Sequence, residues 1–267
     1  MKWVPLFVFL VVILAAPWSG AALAGPVALE THRALYRLSL ARAESSSGIN
    51  SAEGLLSVEL SGGCEGYVFN EHHLMDVAYS EGGQARMDFR ISTWESSDGA
   101  ILRFDRKSVV DGQVAEHFRG RAEIESEGGG GRVVFTDSGG EELSLEQGTI
   151  FPTEHTAVLV AKALAGERQV IREVYAGTGP GEPTHTVAFL GDPIPAAPAD
   201  AGPLLAGVVS WPVRLSFYDN RPDATLPEYE VAFRLYANGI ATDFELDYGN
   251  FALSGTLERL EAVPRAC

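Results

Sequence analysis

Residues 229–246 read YEVAFRLYANGIATDFEL, and this stretch decides the fold. Tyr229, Val231, Phe233 and Leu235 take every second position, with Glu230, Ala232 and Arg234 between them. A period of two sends the two sets to opposite faces of an extended strand. Asn238-Gly239 follows, the strongest short hairpin signal, because both central residues of a type I′ turn need positive φ. Ile240, Thr242, Phe244 and Leu246 carry the alternation onto a return strand. Before this stretch, Trp211, Val213, Leu215 and Phe217 share a face. After it, Tyr248-Gly249-Asn250 turns into a further strand over 251–260. The C-terminal third is thus expected to be an antiparallel meander with one apolar face.

The same period governs the N-terminal half. Ala34, Tyr36, Leu38 and Leu40 alternate with Arg33, Arg37 and Ser39, and Ala85, Met87, Phe89 and Ile91 with Arg86, Asp88, Arg90 and Ser92. Ser97-Asp98-Gly99 turns the chain back into Ala100, Leu102 and Phe104. Further strands are predicted over 55–60, 66–79, 114–124, 132–136, 141–145, 169–175 and 184–190. The glycine runs 128–131 and 139–140 read as connections, since neither a lysine nor a helix accompanies them as a phosphate loop requires. One helix interrupts the pattern. After Pro152, Thr153 is the expected cap, Ala157, Val160, Ala161 and Leu164 recur at helical spacing, and Gly166 is the stop. Residues 191–207, with Pro193, Pro195, Pro198 and Pro203, read as an exposed, semi-extended loop within one continuous sheet.

Composition narrows the function classes. Lys and Arg total 20 against 36 Asp and Glu, a net charge of −16 over 267 residues. This balance argues against nucleic acid and anionic lipid surfaces, and its ordinary meaning is solubility. Residues 1–24 read as a secretory signal. Lys2 is followed by an apolar run from Trp3 to Ala16, shorter than the roughly 20 residues of a membrane span, and then by the small-x-small site Ala22-Leu23-Ala24. Cleavage between Ala24 and Gly25 is expected to release residues 25–267 as a single β domain. Pro26 stands where a lipoprotein would carry cysteine, so a soluble periplasmic protein is the first expectation. The two cysteines, Cys64 and Cys267, are then expected to form one disulfide. Two free thiols and a metal site are the alternatives, the latter disfavoured without CxxC spacing.

Candidate chemistry is sparse. The sequence holds neither Gly-x-Ser-x-Gly nor His-Glu-x-x-His. Glu71-His72-His73 with Asp76 is the most metal-like cluster, yet adjacent histidines on a strand point to opposite faces. His155 falls in the first helical turn and reads as a packing or hydrogen-bonding residue. Trp94 and Glu95, at a strand end beside a turn, read as an aromatic barrel edge, with ligand contact at a rim as the functional alternative. The stripe Trp211, Phe217, Tyr229, Phe233 and Phe244 reads as core.

Several placements together resemble a known family. They are His32-Arg33-Ala34-x-Tyr36, Cys64-x-Gly66-Tyr67, Thr93-Trp94-Glu95-Ser96 with Asp98-Gly99, and Phe151-Pro152-Thr153-x-His155-Thr156. Trp211-Pro212-Val213-x-Leu215-x-Phe217, Tyr229-Glu230, Asn238-Gly239, Asp247-Tyr248 and the terminal Cys267 follow in order. The chain resembles the EipB cell-envelope-integrity family of periplasmic proteins, from about His32 to Cys267. The resemblance implies an open, spiralling antiparallel β-barrel wrapped around one central α-helix, with the two cysteines bonded. That fold is similar to the lipoprotein carrier and receptor proteins LolA and LolB. One departure is Ala176-Gly177, where the family pattern leads us to expect Asp-Gly.

The function expected is non-catalytic and cofactor-free: support of Gram-negative envelope integrity, with a lipid or lipidated peptide held in an apolar concavity. Ala157 and Ala161 are expected to face that space, too small to fill it. The alternative is a scaffold that binds another periplasmic protein and no small ligand. An outer-membrane barrel is disfavoured, because residues 264–267 lack the terminal aromatic and the strands lack aromatic girdles.

Overall fold

The chain runs out from β1 through seven hairpins and returns to β1 from the other side. The computed structural model describes residues 27–125, 129–137, 140–181, 183–219 and 225–265. The expected signal over residues 1–24, the expected Ala24–Gly25 cleavage junction and Cys267 lie outside these residues. The outward half comprises β1 (His32–Ala43), β2 (Ile49–Gly62), β3 (Gly66–Tyr79), β4 (Gln84–Ser96), β5 (Ile101–Val110), β6 (Gln113–Ile124), β7 (Gly131–Phe135) and β8 (Glu142–Leu145). Next come β9 (Thr149–Ile150) and the helix α1 (Pro152–Leu164). The return half comprises β10 (Gln169–Val174), β11 (Thr184–Leu190), β12 (Ser210–Tyr218), β13 (Tyr229–Tyr236), β14 (Ala241–Asp247) and β15 (Phe251–Ala262).

All fifteen strands belong to one sheet, ordered β8-β7-β6-β5-β4-β3-β2-β1-β15-β14-β13-β12-β11-β10-β9. Its two edges, β8 and β9, are neighbours in sequence, so the sheet curls into a nearly closed barrel. Both edge strands are short, four and two residues, which leaves little unpaired backbone to template aggregation. Neighbours pair antiparallel except β9 with β10, the parallel pair that α1 bridges, as parallel strands require a crossover. Register shifts at Leu35/Tyr36, Leu40/Arg42 and Ser108/Val109 bend the long strands.

Alternation along β1 buries Ala34, Tyr36 and Leu38 and exposes Arg33 and Arg37. Tyr36 donates its hydroxyl to Ala241 O at 2.7 Å and meets the Phe244 ring edge-on at 4.9 Å. Leu102, Phe104, Ala122, Val133 and Phe135 of the outward half cluster with Phe151, just before α1, and Tyr175, just after β10. Phe104 sits there between two glycines. A Cβ at Gly120 would lie 2.5 Å from Phe104 Cζ, and one at Gly177 2.5 Å from Phe104 Cγ. Gly177 also has φ of 69°, so the Ala176-Gly177 departure keeps the residue that the turn needs. On the return half, Leu159, Val160 and Ala163 of α1 pack with Val170, Ala188, Trp211, Val213 and Leu235.

Four expectations are corrected. The helix begins at Pro152 with Phe151 as its cap residue, so Thr153 lies inside the first turn and does not cap; proline suits that first position, where the N–H has no partner anyway. The buried helical face is His155, Leu159, Val160 and Ala163, while Leu164 is 55 % exposed. The Asn238-Gly239 turn is not type I′, since only Gly239 has positive φ, 85°. Gly239 N instead donates to Tyr236 O at 2.8 Å and Asn238 Oδ1 accepts from Ile240 N at 3.3 Å. Residues 191–207 are not simply exposed. Ala197 and Leu205 are buried against Tyr236 and Ile240, because the apolar residues between the prolines give the segment a face that covers the hairpin.

Candidate functional site

A cavity of about 410 Å³ opens between α1 and the buried face of the sheet. This volume falls in the roughly 300–1,000 Å³ range of small-molecule sites. Strands on either side of β1 supply most of its wall. Tyr36, Leu56, Val58, Leu60 and Phe69 come from β1–β3, and Phe217, Tyr229, Val231, Phe233, Phe244 and Leu246 from β12–β14. The helix contributes Pro152, Thr153, His155, Thr156 and Leu159. Ala157 and Ala161 are not among the lining residues, which corrects the face expected for them. The aromatic stripe divides: Trp211 belongs to the core beneath α1, whereas Phe217, Tyr229, Phe233 and Phe244 line the cavity. Alternation along a strand tells which side a residue faces, and both core and cavity lie on that side.

One border of the cavity is a run of stacked rings. Phe217 and Tyr229 stack at 4.3 Å, Tyr229 and Tyr248 at 6.0 Å, and Tyr248 and Phe251 at 4.8 Å. Tyr248 is 42 % exposed, so the run leads from solvent to the lining. Burial raises the Tyr229 and Tyr248 hydroxyls above the ordinary phenol value, with the Glu71 carboxylate as a lesser cause. Both stay protonated and able to donate.

The other border is the start of α1. Glu95 ends β4 with its carboxyl buried, 2 % exposed. Its Oε2 accepts the Thr153 N–H at 2.8 Å and its Oε1 the Glu154 N–H at 2.7 Å. A strand residue therefore satisfies two of the amide groups that every helix leaves free at its N-terminus. Burial pushes the Glu95 carboxyl up to about 7, against the two amide bonds that pull it down. Its neighbour Trp94 stays half-buried beneath the Arg103 guanidinium, 5.0 Å from the ring centre. Local pattern did not reveal the Glu95 role, because its partners lie 58 and 59 residues away.

His155, one turn into α1, lines the cavity and is 6 % exposed. Its Nε2 is enclosed without a hydrogen-bond partner. Burial, with the Arg172 charge as a second cause, lowers its pKa to about 4, so the ring is neutral near pH 7. Several other polar groups of the lining are matched within the protein. His73 Nε2 meets Glu71 Oε1 at 2.6 Å, Thr156 Oγ1 donates to Pro152 O at 3.0 Å, and His32 Nδ1 meets Glu30 O at 2.8 Å.

The Glu71-His72-His73 cluster is split by the sheet. His73 faces the cavity, while His72 bonds Asp88 Oδ1 at 3.0 Å on the opposite face, and Asp76 holds Arg86 through a two-pronged ion pair. A larger hollow of about 700 Å³ lies on that outer face. Its charges are largely neutralised in place, Arg33 by Glu59, Arg90 by Asp88 and Arg119 by Asp105, so it reads as a solvated polar surface. His117 and His185 likewise meet carboxylates, Asp105 and Glu173.

Comparison with known proteins agrees with this architecture. The EipB-like family matches residues 23–264. The chain is 32% identical over 257 residues to the cell envelope integrity protein EipB of Brucella abortus (strain 2308), covering 94% of this chain and 90% of that protein. It is also similar to the crystal structure of a beta-barrel-like protein of a domain of unknown function, DUF1849, from Brucella abortus. There the TM-score is 0.82 at 32% identity, covering 89% of this chain and 100% of that one. A nearly closed sheet, one helix against its buried face and this likeness along almost the whole length make the chain a member of the EipB-like family.

Proposed function

We propose that this protein supports envelope integrity from the periplasm by holding a lipid, or the acyl chain of a lipidated peptide, in the cavity between α1 and the sheet. The observation that carries the reading is the cavity wall: aromatic and branched side chains from six strands enclose about 410 Å³, against one helix whose lining face is small. In this reading the spiral sheet wraps the helix as a shell, the arrangement that the likeness to LolA and LolB implies. Each methylene placed there contributes about 0.8 kcal/mol by leaving water. The net charge of −16 suits a soluble carrier that does not adsorb to anionic membranes. The protein acts here as a binder and not as an enzyme, its histidines being engaged with carboxylates or facing the apolar wall.

The test is mass spectrometry of organic extracts from protein purified out of periplasm, paired with binding of a fluorescent fatty acid. Co-purified lipid and saturable binding support the carrier. A protein that brings no lipid, takes up no probe and cross-links to a periplasmic protein would instead be a scaffold.

A further inference from the structure

We propose that the cavity takes an amphiphile whose head carries a primary ammonium group, and that the Glu71 carboxylate at the cavity mouth binds that head. The inference rests on the carrier reading and adds to it the chemical class of the ligand. The same chemistry occurs in the head of an amino lipid and in a lysine beside the acyl group of a lipidated peptide, the two ligands that reading allows.

Among the described residues that line the cavity, Glu71 is the one aspartate, glutamate, lysine or arginine. A carboxylate in an apolar wall is costly unless it is paired, and here the pairing is half complete. Glu71 Oε1 meets His73 Nε2 at 2.6 Å, while Oε2 has neither a hydrogen bond nor an ion pair among the described residues. Oε2 is also open. The Glu71 side chain keeps 25 % of its surface, and the enclosed, unpartnered side-chain atoms of the described residues are Arg106 Nε, Thr149 Oγ1 and His155 Nε2. An incoming group can therefore reach the free carboxylate oxygen.

The surroundings fit a cation. Tyr229, the first residue of β13, lines the cavity beside the exposed Tyr248 ring. The Glu71 charge reaches both hydroxyls and Glu228 that of Tyr229, and no cation acts on either. Arg106, two strands from Glu71 on the same face, is held by Glu116 and the Thr178 carbonyl. A primary ammonium has three N–H donors and no acceptor, so it can donate to Glu71 Oε2 and to a tyrosine oxygen at once. A carboxylate or phosphate head would meet like charge here, and an uncharged head would leave the glutamate without a counter-ion. From Tyr229 the same face of β13 continues through Val231 and Phe233, which gives the acyl chain an apolar path inward from the mouth.

The experiment displaces a neutral apolar fluorophore, N-phenyl-1-naphthylamine, with a primary alkylamine, a fatty alcohol and a fatty acid of one chain length. Wild-type protein is expected to bind the amine roughly tenfold tighter than the alcohol, the scale of one hydrogen bond to a charged group, and the acid more weakly than either. Glu71→Gln should lower the amine to the level of the alcohol. Lysophosphatidylethanolamine and a palmitoylated peptide with one lysine, each beside its N-acetylated form, separate the two sources: the one that loses affinity on acetylation is the class the cavity takes. An amine no tighter than the alcohol in wild-type protein overturns the head group without any variant having to fold, and so does the absence of an acetylation effect in both pairs. A preference that survives Glu71→Gln overturns the role of Glu71. The carrier stands in these cases. Failure of the wild-type protein to bind the fluorophore or any of the amphiphiles overturns the carrier reading and this inference together.

Discussion

Glu95 Oε2 accepts the Thr153 backbone N–H at 2.8 Å, a bond that joins the end of β4 to the first turn of α1 across 58 residues. With Glu154 N–H on Oε1 at 2.7 Å, one carboxyl does the work usually left to a local cap residue. It also fixes where the helix begins relative to the cavity. Glu95→Ala should cost about 1–3 kcal/mol, because two buried amide groups lose their acceptor. Denaturant unfolding followed by circular dichroism measures it; an unchanged midpoint would show that solvent or another group can replace the carboxyl.

The same end of the cavity gives opposing pH dependences. Burial raises Glu95 from 4.5 to about 7, so the folded protein binds more protons than the unfolded chain. The Glu95 contribution to stability is present below about pH 4.5 and lost as pH rises through 7. Burial lowers His155 from 6.5 to about 4. Its contribution is present above about pH 6.5 and lost as pH falls through 4. Across the overlap the two offset each other in the wild-type protein. Relative to wild type, Glu95→Gln should therefore gain stability as pH rises from 5 to 7, and His155→Gln should gain as pH falls over the same window. Unfolding midpoints at several pH values give both slopes, and slopes of the same sign in the two variants would contradict the assignment.

Much of the barrel was legible because period-two alternation is a local signal. Gly66–Tyr79 and Thr184–Leu190 are strands over the residues expected, and Gly166 ends the helix with φ of 78°. The errors have physical causes. Ala157 and Ala161 gave a weak helical stripe, since alanine is indifferent to burial, and the true buried face is one step round at His155 and Leu159. β9 is two residues of parallel pairing, too short for any pattern. Period two also says which face Phe217 and Tyr229 occupy but not whether anything fills the space opposite. The Glu95–Thr153 bond is invisible to any local reading.

We propose that Cys64 and Cys267 form the single disulfide. Cys64 lies in the turn between β2 and β3, and His32 pairs with Leu60 of β2 on one side and Ala262 of β15 on the other. Leu60, close before that turn, and Ala262, the last residue of β15, therefore sit about 10 Å apart, two strand spacings, at one end of the sheet. No cysteine among the described residues is a free thiol. Closing so long a loop contributes about 5 kcal/mol at most, through the unfolded chain. Cys64→Ala and Cys267→Ala should each lower the melting temperature while keeping the β signature. Thiol labelling of denatured, unreduced protein should find no reactive cysteine, and two labelled thiols per chain would end the idea.

We propose that residues 1–24 direct export as a secretory signal and that Pro26, following Gly25, leaves no cysteine there to carry a lipid. Mature protein is expected in the osmotic-shock fraction, beginning at Gly25 and without a lipid mass. Retention of the protein in carbonate-washed membranes would argue for a different location.

The cavity itself is open to a steric test with a built-in control. Thr156 lines it from the helix, and Ala161, on the same helix, does not. Thr156→Trp should project an indole toward Phe233 and Phe244 and occupy a large share of the space. Ala161→Trp adds the same bulk outside the lining. If an acyl chain binds between α1 and the sheet, Thr156→Trp should weaken fluorescent fatty-acid binding by tenfold or more, since several methylenes at about 0.8 kcal/mol each would be excluded. Ala161→Trp should leave binding within about twofold, provided its β circular-dichroism signature is native, because its indole points away from the site. Equal loss in both variants would attribute the effect to general destabilisation. Full binding in both would place the probe elsewhere on the protein, and the exposed Tyr248 ring would be the next surface to alter.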